Sequence, residues 1–478
     1  MKRWLLPLLI LTACSGSDDQ GPIRVSVIGG PPYLVDPNRE IPDQTERVLL
    51  GAVAETLVAY DENGQITPSL AQRWVVTSDG LSAIFRLRRA AWSNGKAVTS
   101  DEVARRARAI IAPSSRNPLR DAFDSIEEIS PTTPDVIEFR LTTPRPPLLE
   151  LLAEPESSIL SRAMMTSGPY RIDSRAGATA ILKARARPAD VAPPLPDIHL
   201  SGDKAARAIV RFQRDLTDLV LGGTYGDWPT VQTAQPRART LRIDPAEGLF
   251  GLSVVKTGGF LADPLNRQVL GMVINRDAML DAFDVPGWLA VLPVLPKRYR
   301  SAADPAFPPW AIYDLSGRIA EAQRRVQLWQ GAHPGPIRIR LYLPPGPGST
   351  LLYRRVAADW HRVGIEAVRS GEEEADVRLV DKVAPGGSAL WYLDTLACPS
   401  ADACSEETIE ALDGARDAQS LAERGVRLAA ADRSLAASGL YVPLARPVRW
   451  SLVSPRLTLF KENARAWHPL TALIKPPR

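Results

Sequence analysis

The chain has 478 residues, 45% hydrophobic and 23% charged, so it can fill two or three domains with sizeable cores and is too apolar to be disordered. Its formal charge of +4 falls to +2 if Lys2 and Arg3 leave with a leader, and the remaining charges are mixed along the chain. That balance carries no nucleic-acid footprint, and beyond the leader no apolar run reaches membrane-spanning length.

The first residues read as an export address. Lys2-Arg3, the apolar run Trp4–Ile10 and Leu11-Thr12-Ala13-Cys14 have the order of a bacterial lipoprotein signal: two cations, a stretch too short to span a bilayer, and small residues before a cysteine. Residues 1–13 are therefore expected to be cleaved as a signal peptide, leaving Cys14 lipidated and 14–21 as a tether. Ser15–Gly21, at roughly 3.5 Å per residue, reaches about 25 Å, and the choice between inner and outer membrane stays open. The mature protein is expected on the periplasmic or extracellular face, held to the membrane by its lipid alone.

Ile23–Ile28 alternates and runs into Gly29-Gly30-Pro31-Pro32, which predicts a strand entering a rigid loop. Glu46–Val58 carries Val48, Leu49, Val53 and Leu57 at helical spacing. Around Trp74–Val76 and Ala83–Arg88 the pattern alternates, and Asp79-Gly80 between them marks a hairpin. Thr99 and Glu102 have the spacing of a capping box that opens a helix from about Asp101 to Ile111. Asp263-Pro264 starts another helix, and Asn275-Arg276-Asp277 interrupts or recaps it. Ser349–Val363 places Leu352, Val356, Trp360 and Val363 on one face, between strand-like segments at Ile337–Leu343 and Val377–Asp381. This strand, helix, strand rhythm predicts an α/β fold.

Several of these pieces fall in a recognisable order: Glu55–Asp61, Pro68–Trp74, Asp79-Gly80 leading to Phe85–Arg88, Trp92–Lys96 and Val98–Val103. Further on come Ser167–Tyr170, Asn266–Leu270, Asn275–Met279 and Val363–Glu366. The chain resembles the extracellular solute-binding proteins of the peptide and nickel class, the receptors of ABC importers. The resemblance implies a two-lobed periplasmic-binding-protein-like α/β fold whose amino-terminal lobe carries an extra inserted domain. Lobe 1 would combine 22–45, 166–245 and 446–478, the inserted domain 46–165, and lobe 2 246–445. Within the insert, Trp74, Phe85, Leu87 and Trp92 are expected to be core residues.

A closing cleft needs aromatic faces and a few polar groups at strand ends. Gly222–Trp228, with Tyr225, Asp227 and Trp228, fits that need, with a surface loop around a buried tryptophan as the alternative. Val377–Tyr392, with Asp381, Lys382, Trp391 and Tyr392, lies where family members carry their main ligand-reading strand and loop. In the peptide receptors that loop holds an aspartate for the ligand's amino group, whereas Pro385-Gly386-Gly387-Ser388 has no carboxylate. Asp381 is four residues upstream, roughly 13 Å away on a strand. An amino group closed into a dry cleft without a counter-charge is costly, so a free-amine peptide is disfavoured and a capped, cyclic, glycosidic or otherwise amine-poor solute stands as a candidate.

Once Cys14 is lipidated, Cys398 and Cys404 remain as an even pair in an exported protein and are read as a disulfide, with two free thiols as the alternative. No metal site or cofactor is expected, because His199, His333, His361 and His468 are scattered with no pair at ligand spacing. The sequence holds no G-x-S-x-G and no H-E-x-x-H, so no catalysis is expected. The expected function is a monomeric receptor that binds a peptide-like or other small solute and delivers it to an ABC permease. An envelope sensor, scaffold or chaperone of the same fold is the alternative, and an exported hydrolase a remote one.

Overall fold

The computed structural model describes residues 21–145, 147–185, 195–297 and 303–474, so Cys14 and the leader lie outside the described residues. Its strands fall into one seven-stranded, one five-stranded, one four-stranded and one two-stranded sheet.

Ile23–Ile28 is the central strand of the seven-stranded sheet, running parallel to Ile198–Asp203 on one side and Leu219–Thr224 on the other. Residues on both faces of this strand are buried, as in parallel sheets covered by helices, which its alternation alone does not convey. Ile23, Val25 and Val27 are fully buried on one face. On the other, buried Ser26 donates to Asp203 Oδ2 at 2.6 Å, so its hydroxyl is not orphaned. The strand then enters the Gly29–Pro32 loop as expected. This loop is pinned where the Gly30 amide donates to Asp43 Oδ2 at 2.8 Å. Asp43 also caps the helix Gln44–Val53 in a capping box with Glu46.

That helix packs on the seven-stranded sheet, with Val48, Leu49, Ala52 and Val53 in the same core as Ile23 and Val25. The expectation that residues from 46 onward leave this sheet therefore fails for the helix. The segments after it do leave: Ala71–Val76, Ser82–Leu87, Val136–Leu141 and Ile126–Thr133 form the antiparallel four-stranded sheet. The Asp79-Gly80 hairpin closes its first two strands, with Gly80 at φ +71. The helix Ser100–Ile111 covers the sheet, and its capping box at Thr99 and Glu102 is present. Phe85, Leu87 and Trp92 are buried in this unit's own core, and Trp74 packs against it.

The chain then returns to the seven-stranded sheet before crossing to the five-stranded one. That sheet is ordered Ile365–Arg369, Ile337–Tyr342, Val377–Val383, Gly248–Val254, Tyr441–Ala445. The helix Pro347–His361 links two of its strands, and Pro264–Met272 and Arg276–Phe283 meet at Asn275, whose side chain caps the second. The chain passes between the two large sheets at 245–247 and again at 446–448, each passage containing a proline. These passages run side by side, because the strands before and after them pair with one another.

Gly202 lies where the Gly29–Pro32 loop folds back over its strand, and a Cβ there would stand 1.7 Å from the Gly30 carbonyl oxygen. Gly202→Ala is expected to push that loop away and cost about 1–3 kcal/mol of stability, read as a lower urea midpoint.

Candidate functional site

The ends of the sheet strands meet across a cavity of about 550 Å³. Its walls come from far-apart stretches: Ile28, Leu221–Thr224, Asp227 and Arg449–Ser451 from the seven-stranded sheet, and Asp381–Pro385 and Trp391 from beside the five-stranded sheet. Pro118, Leu119, Glu154 and Glu156 come from the four-stranded unit, and Arg465–His468 from the carboxy-terminal tail. A second cavity of about 560 Å³ shares Thr224, Asp227, Asp381 and Lys382 with the first and extends toward Tyr225, Tyr342 and Ser349.

Charge is concentrated here and mostly paired. Arg449 Nη1 lies 2.8 Å from Asp381 Oδ1. Arg47 holds two carboxylates, Glu154 at 3.0 Å and Glu156 at 2.6 Å. His468 Nε2 is 3.1 Å from Asp244 Oδ2. Burial raises the Asp381 carboxyl against the pull of Arg449, and it raises Glu154 against the pull of Arg47. Asp227 is raised by burial and the Lys382 ammonium lowered by it.

The four-stranded unit also touches the five-stranded sheet and its helices. Arg416 Nε lies 3.4 Å from Asp124, and Arg424 Nη1 donates to the Pro144 carbonyl at 2.7 Å. The Tyr60 hydroxyl stands 3.0 Å from the Pro385 carbonyl oxygen. Gly386 packs against Pro147 and Glu150, where a Cβ would approach to 3.2 Å. The loop Pro385–Ser388 is thus a contact between units.

Of the residues expected in the cleft, Asp227, Asp381, Lys382 and Trp391 line the cavities. Tyr225 borders the second one, but its ring is buried against Phe250 and its hydroxyl lies 2.8 Å from Ser349 Oγ. Two expectations are corrected. Trp228 is 2% exposed and donates from Nε1 to the Phe283 carbonyl at 2.8 Å, because the helix that starts at Trp228-Pro229 turns its first side chain into the core. Tyr392 is fully buried: on the helix Ala389–Ala397 it sits about 100° around from Trp391, which takes the cavity-facing side. Cys398 and Cys404 come together just after that helix, with Cα atoms 4.0 Å apart.

Sequence reading missed Arg47, Glu154, Glu156, Arg449 and the tail residues Arg465–His468. The adjacent carboxylates of Glu154-Pro155-Glu156 after the apolar run Leu148–Ala153, and the pair Trp467-His468, were the available signals.

The residues 65–368 match the model of the bacterial extracellular solute-binding proteins, family 5 middle. The chain belongs to that family. In fold it is similar to OppA of Haemophilus influenzae in complex with RPPGFSPFR, with TM-score 0.81 and 15% identity over 95% of this chain and 99% of that one. OppA of Burkholderia pseudomallei gives 0.81 and 17% over 96% and 100%, and the Escherichia coli murein tripeptide binding protein MppA 0.81 and 16% over 95% and 98%. No curated protein sequence matches the chain. The two large sheets are therefore the lobes of a periplasmic-binding-protein fold, and the shared cavities lie between them.

Trp228→Ala is expected to cost about 3–5 kcal/mol of stability, as loss of a buried tryptophan does. Trp391→Ala should leave the melting temperature nearly unchanged and weaken solute binding, so calorimetry and titration of the two variants separate core from cleft. For Glu154 the sign follows from its raised value: the folded chain holds the proton more tightly than the unfolded chain. Its contribution is greatest when protonated and declines as pH rises from near 4.5 through the raised folded value. Glu154→Gln should flatten that decline in urea-unfolding midpoints measured across pH.

Proposed function

We propose that this chain is the receptor of an ABC importer, closing its lobes on a peptide-like or other small solute and presenting the closed form to a permease. The observation that supports this most is the composition of the cleft, whose charged walls are drawn from both large sheets, the four-stranded unit and the tail. Only an interlobe ligand touches all four at once. Family membership adds to it, as does the peptide RPPGFSPFR held by the similar OppA of Haemophilus influenzae.

The lobes follow the sheets. Lobe 1 comprises 22–45, 166–245 and 446–478 together with the helix Gln44–Val53, the insert takes the remainder of 46–165, and lobe 2 is 246–445. The motion is a hinge at 245–247 and 446–448, with the contacts of Arg416, Arg424 and Tyr60 forming as the lobes close.

The anchor at Cys14 and the periplasmic or extracellular location rest on the leader sequence. No helix among the described residues is long and apolar enough to cross a membrane. The pair Cys398–Cys404 is a disulfide in this reading and pins a local turn. The protein acts as a monomer, without catalysis and without a metal. Among the described residues no group of three or more metal-ligating side chains occurs.

Native mass spectrometry of the protein purified from its own envelope tests the proposal. A small molecule that co-purifies and is released on denaturation is expected. A ligand-free mass across growth conditions, with no thermal shift from a peptide panel, would overturn transport in favour of a sensor or scaffold.

A further inference from the structure

A further cavity, of about 550 Å³, lies beside the five-stranded sheet and shares no described lining residue with the two between the lobes. Its walls are largely aliphatic, with Ile274, Val291, Leu292, Val294, Leu295 and Leu315 facing it. A lining of this kind suits an organic ligand better than a bare ion. Leu289 and Phe307 border it as well and are 52% and 53% exposed, so they mark where it opens to solvent. The wall from Leu289 to Leu292 is held by backbone bonds: Ala290 bridges Ala445, and the Val291 amide donates to the Leu444 carbonyl at 3.1 Å.

Charge at this cavity is lopsided. Arg276, Lys297, Arg318 and Arg446 line it, against the two carboxylates Glu247 and Asp277. Two of these cations have lost water without gaining a counter-charge. Arg276 is 6% exposed and is held by carbonyls alone: Pro443 accepts from Nε and Nη2, and Gly271 and Ile274 from Nη1. Arg318 is half-buried, and its guanidinium makes no hydrogen bond among the described residues. Both guanidinium groups lie over the ring of Trp310, 5.5 and 5.4 Å from its centroid, so they stand together and repel. Burial, and then Arg318, pull Arg276 down to about 9, although Asp277 and Asp359 oppose them from beyond ion-pair range. An arginine stays protonated all the same, so what the pair lacks is an anion.

We infer that this cavity is a second ligand site, which takes an aliphatic carboxylate with its chain against the apolar walls and its acid group at Arg318 beside Arg276. The acid group supplies the missing counter-charge, and the chain covers Leu289 and Phe307 at the opening. A bare anion would leave the aliphatic walls unfilled, and an uncharged chain would leave both arginines without a partner. The site does not depend on what binds between the lobes. Glu247 and Arg446 belong to the two passages that join the large sheets, so this ligand lies against that connection.

The test uses the full mature chain without its lipid and follows octanoate, decanoate, decanol and decylamine by titration calorimetry below their aggregation concentrations. Saturable binding of decanoate is expected, roughly 10-fold tighter than octanoate because its longer chain buries more methylenes. It should also bind roughly 10-fold to 100-fold tighter than decanol or decylamine, which lack the charged acid group. Arg318→Met should remove the preference for decanoate over decanol, and Leu292→Trp should abolish binding of both by filling the cavity. Melting curves confirm that the variants fold, and if Leu292→Trp does not, Arg318→Met alone decides. Trp391→Ala, in the interlobe cleft, should leave decanoate binding unchanged. No decanoate binding, equal binding of decanoate, decanol and decylamine, or a preference for decanoate that survives Arg318→Met would overturn the site. So would loss of decanoate binding in Trp391→Ala, which would place the probe between the lobes.

Discussion

The chain joins its two large sheets through a pair of short passages, 245–247 and 446–448, and the site depends on that connection. The passages lie next to each other because Leu241–Asp244 pairs with Arg449–Val453 on one side and Gly248–Val254 with Tyr441–Ala445 on the other. Each passage contains a proline, which restricts the backbone of the connection. An aromatic pad reinforces the region: Phe250 packs edge-on against Tyr225 and Trp288, and Trp288 donates to the Arg446 carbonyl at 2.7 Å. Trp228 belongs to this pad, which explains why a tryptophan at a strand-end loop is structural here. Its indole ties the loop after Leu219–Thr224 to Phe283 of the other lobe.

Between the four-stranded unit and the five-stranded sheet with its helices the contacts are polar. The Arg416–Asp124 pair is partly exposed and of modest worth in water, whereas Arg424 with Pro144 and Tyr60 with Pro385 are hydrogen bonds from buried side chains. The interior of the cleft is different, since charges such as Asp381 and Glu154 are withdrawn from water and are tolerated because Arg449 and Arg47 stand beside them.

How much of this could be read beforehand varied with the range of the interaction. Local signals were legible: the strand Ile23–Ile28 running into its glycine-proline loop, the Asp79-Gly80 hairpin, the Thr99–Glu102 capping box and the recapping at Asn275 all depend on neighbours a few residues away. The family resemblance supplied the two-lobed fold. Within the site, Asp227, Asp381, Lys382 and Trp391 were recognisable as polar or aromatic residues at strand ends. What stayed hidden was long-range. Arg47 meets Glu154 across 107 positions and Arg449 meets Asp381 across 68, separations that leave no periodicity to read. Tyr392 and Trp391 differ by one helical step, and nothing short of the packing decides which of the two faces the cavity.

The central claim is that the lobes close on a solute, and the distance across the gap measures it most directly. Fluorophores at exposed Asp121 of the insert and exposed Glu410 of lobe 2 would follow that distance in single molecules. On adding small molecules extracted from the protein's own envelope, the account predicts a shift to a shorter distance that reverses when they are washed out. A single distance, unchanged by any extract fraction, would contradict it.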